Sequence, residues 1–364
     1  MKDKLLLTIA ACLYYSGLLS LSNRLHRHAG GRLLIVNYHR ASGGALRGHL
    51  SYLRRRFHLQ FLDSALAELF EHHQGTPVKQ DRRLPLAVTF DDGYEDNFTH
   101  AYPLACDLQV PITIFLITGY MDCGTAFWWQ DRFICLARVP QVNFNGRSYQ
   151  LDRQEDQKFL AQAIDAQFHF ITTPEARYEF LLSLSKMLSL PPPVIPAITE
   201  EPVPMLTWEQ IYEMQASKWV RFGGHTVHHP TLSLLQEAEE AACEVTDCHT
   251  QLQERLAQQV DVFAYPHGGI EHIGAGGIQA VEQADFRWAV TTVPGVNTHR
   301  THPYLIRRMA ADSQMHWLII ALRTSGIWDC LSYFNWLIKK HRYRKILHQM
   351  NLKERALLGQ GENL

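Results

Sequence analysis

The chain has 364 residues and a formal net charge of −1. This length can bury the core of one large domain or two smaller ones, and the balanced charge gives no electrostatic basis for binding nucleic acid. The seven cysteines are odd in number and form no C-x-x-C pair, so no disulfide framework is predicted. The twenty histidines are the unusual part of the composition, and they favour a metal site.

The N-terminal residues 1–30 are strongly apolar. Residues 5–22 carry no charge, and this length approaches the minimum for a membrane-spanning helix. Lys2 and Lys4 precede the segment, which is typical of a signal peptide or a signal anchor. Because the cleavage site is weak, we expect an uncleaved anchor. Three arginines follow at positions 24, 27 and 32, and by the positive-inside rule they would keep the remaining chain in the cytoplasm.

Beyond the anchor, short apolar runs typical of buried strands alternate with helix-like stretches. The runs cover residues 32–39, 84–90, 110–119, 219–226, 260–266 and 287–295. Such alternation predicts parallel strands in an α/β architecture, most simply a barrel over residues 31–312. No glycine-rich phosphate loop follows a predicted strand, so we expect no nucleotide cofactor.

Residues from about 127 to 205 interrupt this alternation, and we expect a helical insertion that forms one wall of a cleft. Trp128 and Trp129 within it could stack on a sugar ring, or they could be buried under the insertion. Residues 313–364 are aromatic and then strongly basic, which predicts a helical tail. The tail could pack on the core or lie on an anionic membrane surface.

Several predicted strands end in side chains that can bind a metal or move a proton. The C-terminal ends of parallel strands converge on one face of a barrel, so we expect these side chains to meet there. They are His39, the adjacent pair Asp91 and Asp92, His225 and His267. For the aspartate pair, a simple turn is the alternative, because Asp92 is followed by glycine.

The segment "HTVHHP" supplies a partner for the aspartates. His225 and His229 are four residues apart, so one turn or a curled loop can aim both imidazoles at one point. With one aspartate they form a two-His, one-Asp site, which suits Zn²⁺ hydrolases and also non-haem Fe²⁺ oxygenases. The other aspartate could then take a proton from the metal's water, while His228 is expected to point elsewhere.

Three motifs, "TFDDG" (89–93), "HTVHHP" (225–230) and "FAYPHG" (263–268), resemble in this order the first three motifs of the polysaccharide deacetylases. The resemblance covers roughly residues 32 to 310. It implies a distorted (β/α) barrel of the polysaccharide deacetylase type and hydrolysis of N-acetyl or O-acetyl groups on sugars.

The resemblance also implies roles for individual residues. Asp91 would be the general base, and the backbone N–H of His267 would stabilise the oxyanion. Tyr265 would support or bind the substrate beside it. A divalent metal, usually zinc, would be held by Asp92, His225 and His229.

Two departures from the family pattern affect these roles. Many members carry an arginine that orients the base, but Ala264 stands at that position. Arg308 is the candidate substitute, with a purely structural salt bridge as the alternative. The late L-x-H motif that usually holds the acid histidine is not found. Instead, "IVNYHR" places His39 as in the circularly permuted branch, although a capped core histidine is the alternative.

The permuted branch acts on β-linked N-acetylglucosamine polymers or other envelope polysaccharides. We therefore expect an acetylated polysaccharide or a lipid-linked glycan as substrate, with an amide favoured over an ester. The family expectation is a membrane-associated protein of the cell envelope with an extracytoplasmic catalytic domain, which the flanking charges mildly contradict. A two-His, one-carboxylate Fe²⁺ oxygenase and a non-catalytic glycan-binding module are the alternative functions.

Overall fold

The structure is a computed structural model that describes residues 2–28, 31–71, 83–121, 137, 139–169, 174–189, 205–235, 238–256 and 258–326. The α-helices are α1 (Lys2–Tyr15), α2 (Leu18–His28), α3 (Leu46–Arg56), α4 (Leu62–Glu71), α5 (Tyr102–Leu108), α6 (Gln154–His169), α7 (Pro174–Met187), α8 (Trp208–Ala216), α9 (Ala238–Leu256), α10 (Ile270–Gln283) and α11 (Trp317–Arg323). The strands are β1 (Arg32–Tyr38), β2 (His58–Leu59), β3 (Pro85–Phe90), β4 (Ile112–Leu116), β5 (Gln141–Phe144), β6 (Arg147–Gln150), β7 (Val220–Gly224), β8 (Val262–Ala264), β9 (Trp288–Val290), β10 (Asn297–Thr298) and β11 (Met309–Ala310).

The main sheet is built from parallel strands in the order β1, β3, β4, β7, β8 and β9. The sheet curls back on itself because β11 pairs parallel with β1, while Ile306, just before β11, bridges to Val290 in β9. This is the distorted (β/α) barrel predicted from the sequence. The six apolar runs correspond to these six strands, and each strand is one to six residues shorter than its run.

Alternation along the strands divides the apolar residues into two layers, because successive side chains point to opposite faces. In β3, Ala87 belongs to the inner cluster, whereas Leu86, Val88 and Phe90 pack in the outer layer between sheet and helices. Four residues of α4 also join the inner cluster: Leu62, Ala65, Leu66 and Leu69. Since α4 follows β2, which pairs with the start of β3, it closes the N-terminal end of the barrel and leaves the opposite end for the site.

The insertion is only partly helical. Helices α6 and α7 agree with the prediction, but they follow an antiparallel hairpin of β5 and β6 that the sequence reading missed. The signal was present, because Asn145 and Gly146 form the tight turn with φ of 48° and 76°, and Asn-Gly is a strong hairpin signal. Trp128 and Trp129 lie outside the described residues, so their predicted roles stay predictions.

The N-terminal segment forms two helices that break at Gly17, where φ is +81°. Among the described residues, no helix has the length and apolar character needed to cross a membrane. Helix α1 packs on the barrel, with the ring of Tyr14 at 5.0 Å from that of Trp317. Helix α2 is tied to the end of α11 by a 2.6 Å hydrogen bond from Ser22 Oγ to the Ser325 carbonyl.

Helix α11 lies within the predicted tail, yet it packs as part of the barrel's helical layer. Its residues Leu318 to Leu322 are buried. This agrees with the core-packing alternative for residues 317–323, whereas residues 327–364 lie outside the described part of the chain.

Candidate metal centre and catalytic residues

The two aspartates are aimed differently by the end of β3. Asp91 continues the inward alternation of Ala87 and Thr89, and its backbone N–H still donates to the Tyr38 carbonyl at 2.8 Å. Asp92 then turns into the left-handed region with φ of 72°, followed by Gly93 at 75°. One turn therefore points two neighbouring carboxylates in different directions.

Asp92 is completely buried, and neither carboxylate oxygen accepts a hydrogen bond from a described residue. Its Oδ1 lies 3.3 Å from Nε2 of His225 and 3.6 Å from Nε2 of His229. Nδ1 of His225 is 2.7 Å from the Ala264 carbonyl. A carbonyl can only accept, so Nδ1 carries a proton, and Nε2 is the ring atom that faces Asp92 and could bind a metal.

These three buried side chains fit a divalent cation. One potential ligand atom from each lies within 4.8 Å of the others, and they form the one such group of three among the described residues. A buried carboxylate without a donor is costly unless a cation balances it. Two imidazoles and one carboxylate are a common protein ligand set for catalytic zinc, which leaves an open position for water.

The protonation of the two histidines differs. Burial, together with the neighbouring histidines, holds the pKa of His229 well below its usual value, which keeps the imidazole neutral and able to ligate. Burial also lowers the pKa of His225, but the carboxylates of Asp92 and Asp91 outweigh burial and leave this pKa raised. The negative charge of the two aspartates therefore increases the affinity of His225 for a proton or a cation.

Asp91 is paired with Arg308, which is fully buried. The guanidinium binds both carboxylate oxygens, at 2.7 Å from Nη1 to Oδ1 and 2.8 Å from Nη2 to Oδ2. Its Nε donates to the Thr291 carbonyl at 2.9 Å. Burial raises the pKa of Asp91, but the charge and hydrogen bonds of Arg308 outweigh burial and leave it lowered. Arg308 thus contacts Asp91 directly, and its role as the substitute for the family arginine stays a prediction.

His39 lies on the solvent-exposed side of the Asp91–Arg308 pair. Its Nε2 is 4.0 Å from Oδ2 of Asp91, and its side chain is 44% exposed. The chain after β1 is fixed by Asp96, whose Oδ2 accepts the backbone N–H groups of Ala41 and Ser42. His39 is therefore accessible to a ligand, unlike the capped core histidine of the alternative reading.

His267 follows β8 with φ of 60°, and its ring lies 4.9 Å from that of His229. Burial lowers its pKa to about 4, with a smaller contribution from His272. The structure thus brings His267 to the site, and the oxyanion role of its backbone N–H stays a prediction. Tyr265 is different: its side chain is 1% exposed and packs on Phe263 in the core. Its expected contact with substrate is not supported by this position.

The loop from His225 to His229 is strained, because Thr226 and His229 have φ of 67° and 61°. Such left-handed non-glycine residues cost about 1–3 kcal/mol each. Glu244 of α9 compensates for part of this cost by accepting the backbone N–H groups of Val227 and His228, at 3.0 and 2.9 Å. The sequence reading missed Glu244, since nothing in the helix pattern separates it from the other acidic residues there.

The cavity that the structure describes at the other end of the barrel is unrelated to this cluster. It measures about 210 Å³ and is lined by polar groups that include Asp63, Arg221 and Asp261. These residues lie near the N-terminal ends of the strands, away from Asp92. We therefore assign the chemistry to the strand-end cluster and not to the cavity.

Solved structures of known proteins share this fold. Among solved structures, the chain resembles a Streptococcus pyogenes deacetylase, PplD, in complex with acetate, with TM-score 0.52, 16% identity, and coverage of 80% of this chain and 97% of that one. IcaB from Ammonifex degensii gives TM-score 0.52 and 19% identity, covering 81% and 98%. The BpsB deacetylase domain from Bordetella bronchiseptica gives 0.50 and 13%, covering 78% and 97%. Identities this low demonstrate a shared fold alone.

Sequence comparison is more specific. No curated protein sequence matches significantly. Residues 79–288, more than half of the chain, match the model of the family described as polysaccharide deacetylase. This match contains Asp91, Asp92 and both histidines of the cluster, and we conclude that the chain belongs to the polysaccharide deacetylase family.

Proposed function

We propose that this deacetylase is metal-dependent and removes N-acetyl groups from a cell-envelope polysaccharide or a lipid-linked glycan. The observation that carries the proposal is the buried Asp92 carboxylate, which faces two imidazoles and accepts no hydrogen bond from a described residue. Membership of the family supports hydrolysis over the oxygenase and the glycan-binding module.

Asp92, His225 and His229 would hold the cation through one carboxylate oxygen and two Nε2 atoms. When bound, a zinc ion in such a site supplies a Lewis acid and lowers the pKa of a water ligand from 15.7 to about 7. The ligands are buried, so bulk water does not compete for the carboxylate.

Asp91 would act as the base that accepts the proton of the attacking water. Arg308 keeps this carboxylate ionised and fixes both of its oxygens. His39, on the exposed side, would donate a proton to the nitrogen that leaves. The backbone N–H of His267 would stabilise negative charge on the acetyl oxygen, an interaction commonly worth about 3 kcal/mol.

The amide substrate is supported by the position of His39. An amine is a very poor leaving group and needs a proton on its nitrogen as the C–N bond breaks, which is the role proposed for His39. His39 comes from the first strand of the barrel, as in the permuted branch that acts on N-acetylglucosamine polymers. The acetate in the Streptococcus pyogenes structure is the product that such a reaction would release.

The test is acetate release from a β-linked N-acetylglucosamine oligomer by the full chain, metal-stripped and zinc-restored. We expect release that requires the metal and is lost in Asp91→Asn, with zinc still bound by the variant. Release by the stripped protein would contradict metal dependence. Stoichiometric zinc binding without release would count against this oligomer as substrate, and other acetylated envelope glycans and lipid-linked precursors would then be tested before a glycan-binding module is considered.

We also propose that the protein works at the cell envelope, in contact with a membrane and with its catalytic domain outside the cytoplasm. The uncharged residues 5–22 support membrane contact, and Leu5, Ile9, Leu18 and Leu21 expose about half of their side chains. Fractionation should recover the protein with membranes, and protease added to intact spheroplasts should digest the barrel. Protection of the barrel from that protease would place it on the cytoplasmic side.

A further inference from the structure

A buried carboxylate that the proposed chemistry does not use lies directly behind the His225–His229 loop. Glu244 is 4% exposed and projects from α9. Its Oε2 accepts the backbone N–H groups of Val227 and His228 at 3.0 and 2.9 Å. Its Oε1 lies 2.6 Å from Nδ1 of His228. One side chain therefore holds the middle of the loop, between the two histidines that face Asp92.

The same loop is held from its other side by the backbone after β4. Thr118 and Gly119 donate to the carbonyls of Thr226 and Val227 at 3.2 and 2.9 Å. Inside the loop, Thr226 Oγ1 accepts the N–H of His229 at 2.9 Å. The two consecutive peptide groups between Thr226 and His228 are thus each fixed at both ends, with the N–H on Glu244 and the carbonyl on the backbone after β4. A loop with two left-handed non-glycine residues needs such restraint to keep one conformation.

We propose that Glu244 is the positioning residue of the metal site: its carboxylate holds the His225–His229 loop in its strained conformation, so both Nε2 atoms face Asp92 before any metal binds. The inference deepens the proposed function and rests on the metal site at Asp92, His225 and His229. Glu244 acts through the loop and does not contact the metal, the substrate or the reacting atoms.

A simpler role for Glu244 is to pair with the ring of His228. The two roles predict different results, because the backbone bonds do not depend on the identity of residue 228. If the loop is held through its backbone, His228→Gln retains most of the metal affinity, whereas Glu244→Gln loses it. If the ring pair matters most, the two variants lose affinity equally.

The experiment compares wild-type full chain, Glu244→Gln, Glu244→Asp and His228→Gln. The matched control is Glu239→Gln, the same substitution at an exposed position of the same helix. Hydrogen exchange of the peptide covering residues 225–230 is measured on metal-free protein. Zinc affinity is then measured by competition with a chromophoric chelator, and the absorption spectrum of the Co²⁺-loaded protein reports the ligand geometry.

We expect the 225–230 amides to exchange slowly in metal-free wild type and faster in Glu244→Gln. Zinc affinity should fall about 10- to 100-fold, as is typical when a group that orients metal ligands is lost, and the Co²⁺ spectrum should change. Glu239→Gln should match wild type. Glu244→Asp keeps the charge but is one methylene shorter, so it should behave like Glu244→Gln, and it replaces that variant if glutamine prevents folding.

Fast exchange of these amides in metal-free wild type would overturn the inference without any variant. So would wild-type zinc affinity in Glu244→Gln or Glu244→Asp, or equal losses in His228→Gln and Glu244→Gln. None of these measurements depends on acetate release. Failure to deacetylate the chosen oligomer would therefore count against the substrate and leave the role of Glu244 to be judged separately.

Discussion

At the scale of single residues, Asp91 and Asp92 differ only in what surrounds them. Asp91 has a guanidinium on both oxygens, whereas Asp92 has two imidazole nitrogens near one oxygen. The first environment keeps a carboxylate ionised but fully hydrogen-bonded, which suits a base. The second leaves lone pairs directed at neighbouring ligand atoms, which suits a metal. The two aspartates suit different roles because the turn at Asp92 places their carboxylates in different surroundings, although the residue type is the same.

Arg308→Met should move the acid limb of the kcat/KM profile to higher pH. Burial raises the pKa of Asp91, and Arg308 lowers it more than His225 and His39 do, so this pKa should rise when Arg308 is removed. In the wild type, the lowered pKa means that Asp91 contributes stability above its usual pKa of 3.8, and this contribution is lost as the pH falls through the folded-state pKa. In Arg308→Met the stabilisation at neutral pH should be missing, at a cost of about 3–5 kcal/mol.

The measurements are pH–rate profiles and urea unfolding at pH 7. Arg300→Met is the control, because Arg300 is exposed, and it should leave both unchanged. Arg308→Lys keeps a charge but loses the two-point contact, so its profile should lie between those of wild type and Arg308→Met. An acid limb that stays in place in Arg308→Met would show that Asp91 is not the group that titrates.

His39→Gln should lower kcat on an N-acetyl substrate by about 100-fold or more, because a general acid typically contributes that much. An acetyl ester with an acidic phenol as leaving group needs no proton, so its hydrolysis should fall much less. Zinc affinity should not change, since His39 contacts Asp91 and not the ligand set. His100→Gln, an exposed histidine on another element, is the control. Equal losses on amide and ester would argue against an acid role.

At the scale of elements, the six parallel strands were predictable because buried parallel strands are continuous apolar runs. Strands β10 and β11 have two residues each, which is too short for a recognisable hydrophobic pattern in the sequence. The cluster of Asp91, Asp92, His225 and His229 was predictable from motif spacing and convergence of the strand ends. The pairing of Arg308 with Asp91 was a candidate only, because it joins segments 217 residues apart. Glu244 was missed because nothing in the pattern of its helix shows which acidic residue faces the His225–His229 loop.

Gly119→Ala should disturb the proposed metal site, because Gly119 contacts the His225–His229 loop on the side opposite to Glu244. A Cβ at Gly119 would lie 2.6 Å from the Val227 carbonyl oxygen and 3.0 Å from its Cγ1, so the loop between the two histidines must shift. We expect zinc affinity to fall by about tenfold or more and the melting temperature to fall as well. Gly44→Ala is the control, since a Cβ there meets no atom within 4 Å. Unchanged zinc affinity in Gly119→Ala would show that the loop tolerates displacement.

At the scale of the whole molecule, the N-terminal helices are part of the folded body. Ala10 is completely buried, whereas its neighbour Ile9 is 44% exposed. Ala10→Asp should therefore destabilise the protein by about 3 kcal/mol or more, because it buries an unpaired charge. Ile9→Asp should leave the unfolding free energy nearly unchanged and reduce recovery with membranes. Equal unfolding free energies for the two variants would show that α1 does not pack on the barrel in solution.

The pairing of the first strand with the last has a consequence for biosynthesis. Arg308 is 217 residues beyond Asp91, and the strand that follows Arg308 pairs with β1, which is made first. Contacts between such distant segments form late, since a long loop must close before they gain any energy. A ribosome-bound fragment that ends before residue 308 would already contain both aspartates and both histidines of the cluster. Its Asp91 would lack the guanidinium partner that lowers its pKa, so we expect full activity only after residue 308 has left the ribosome and docked.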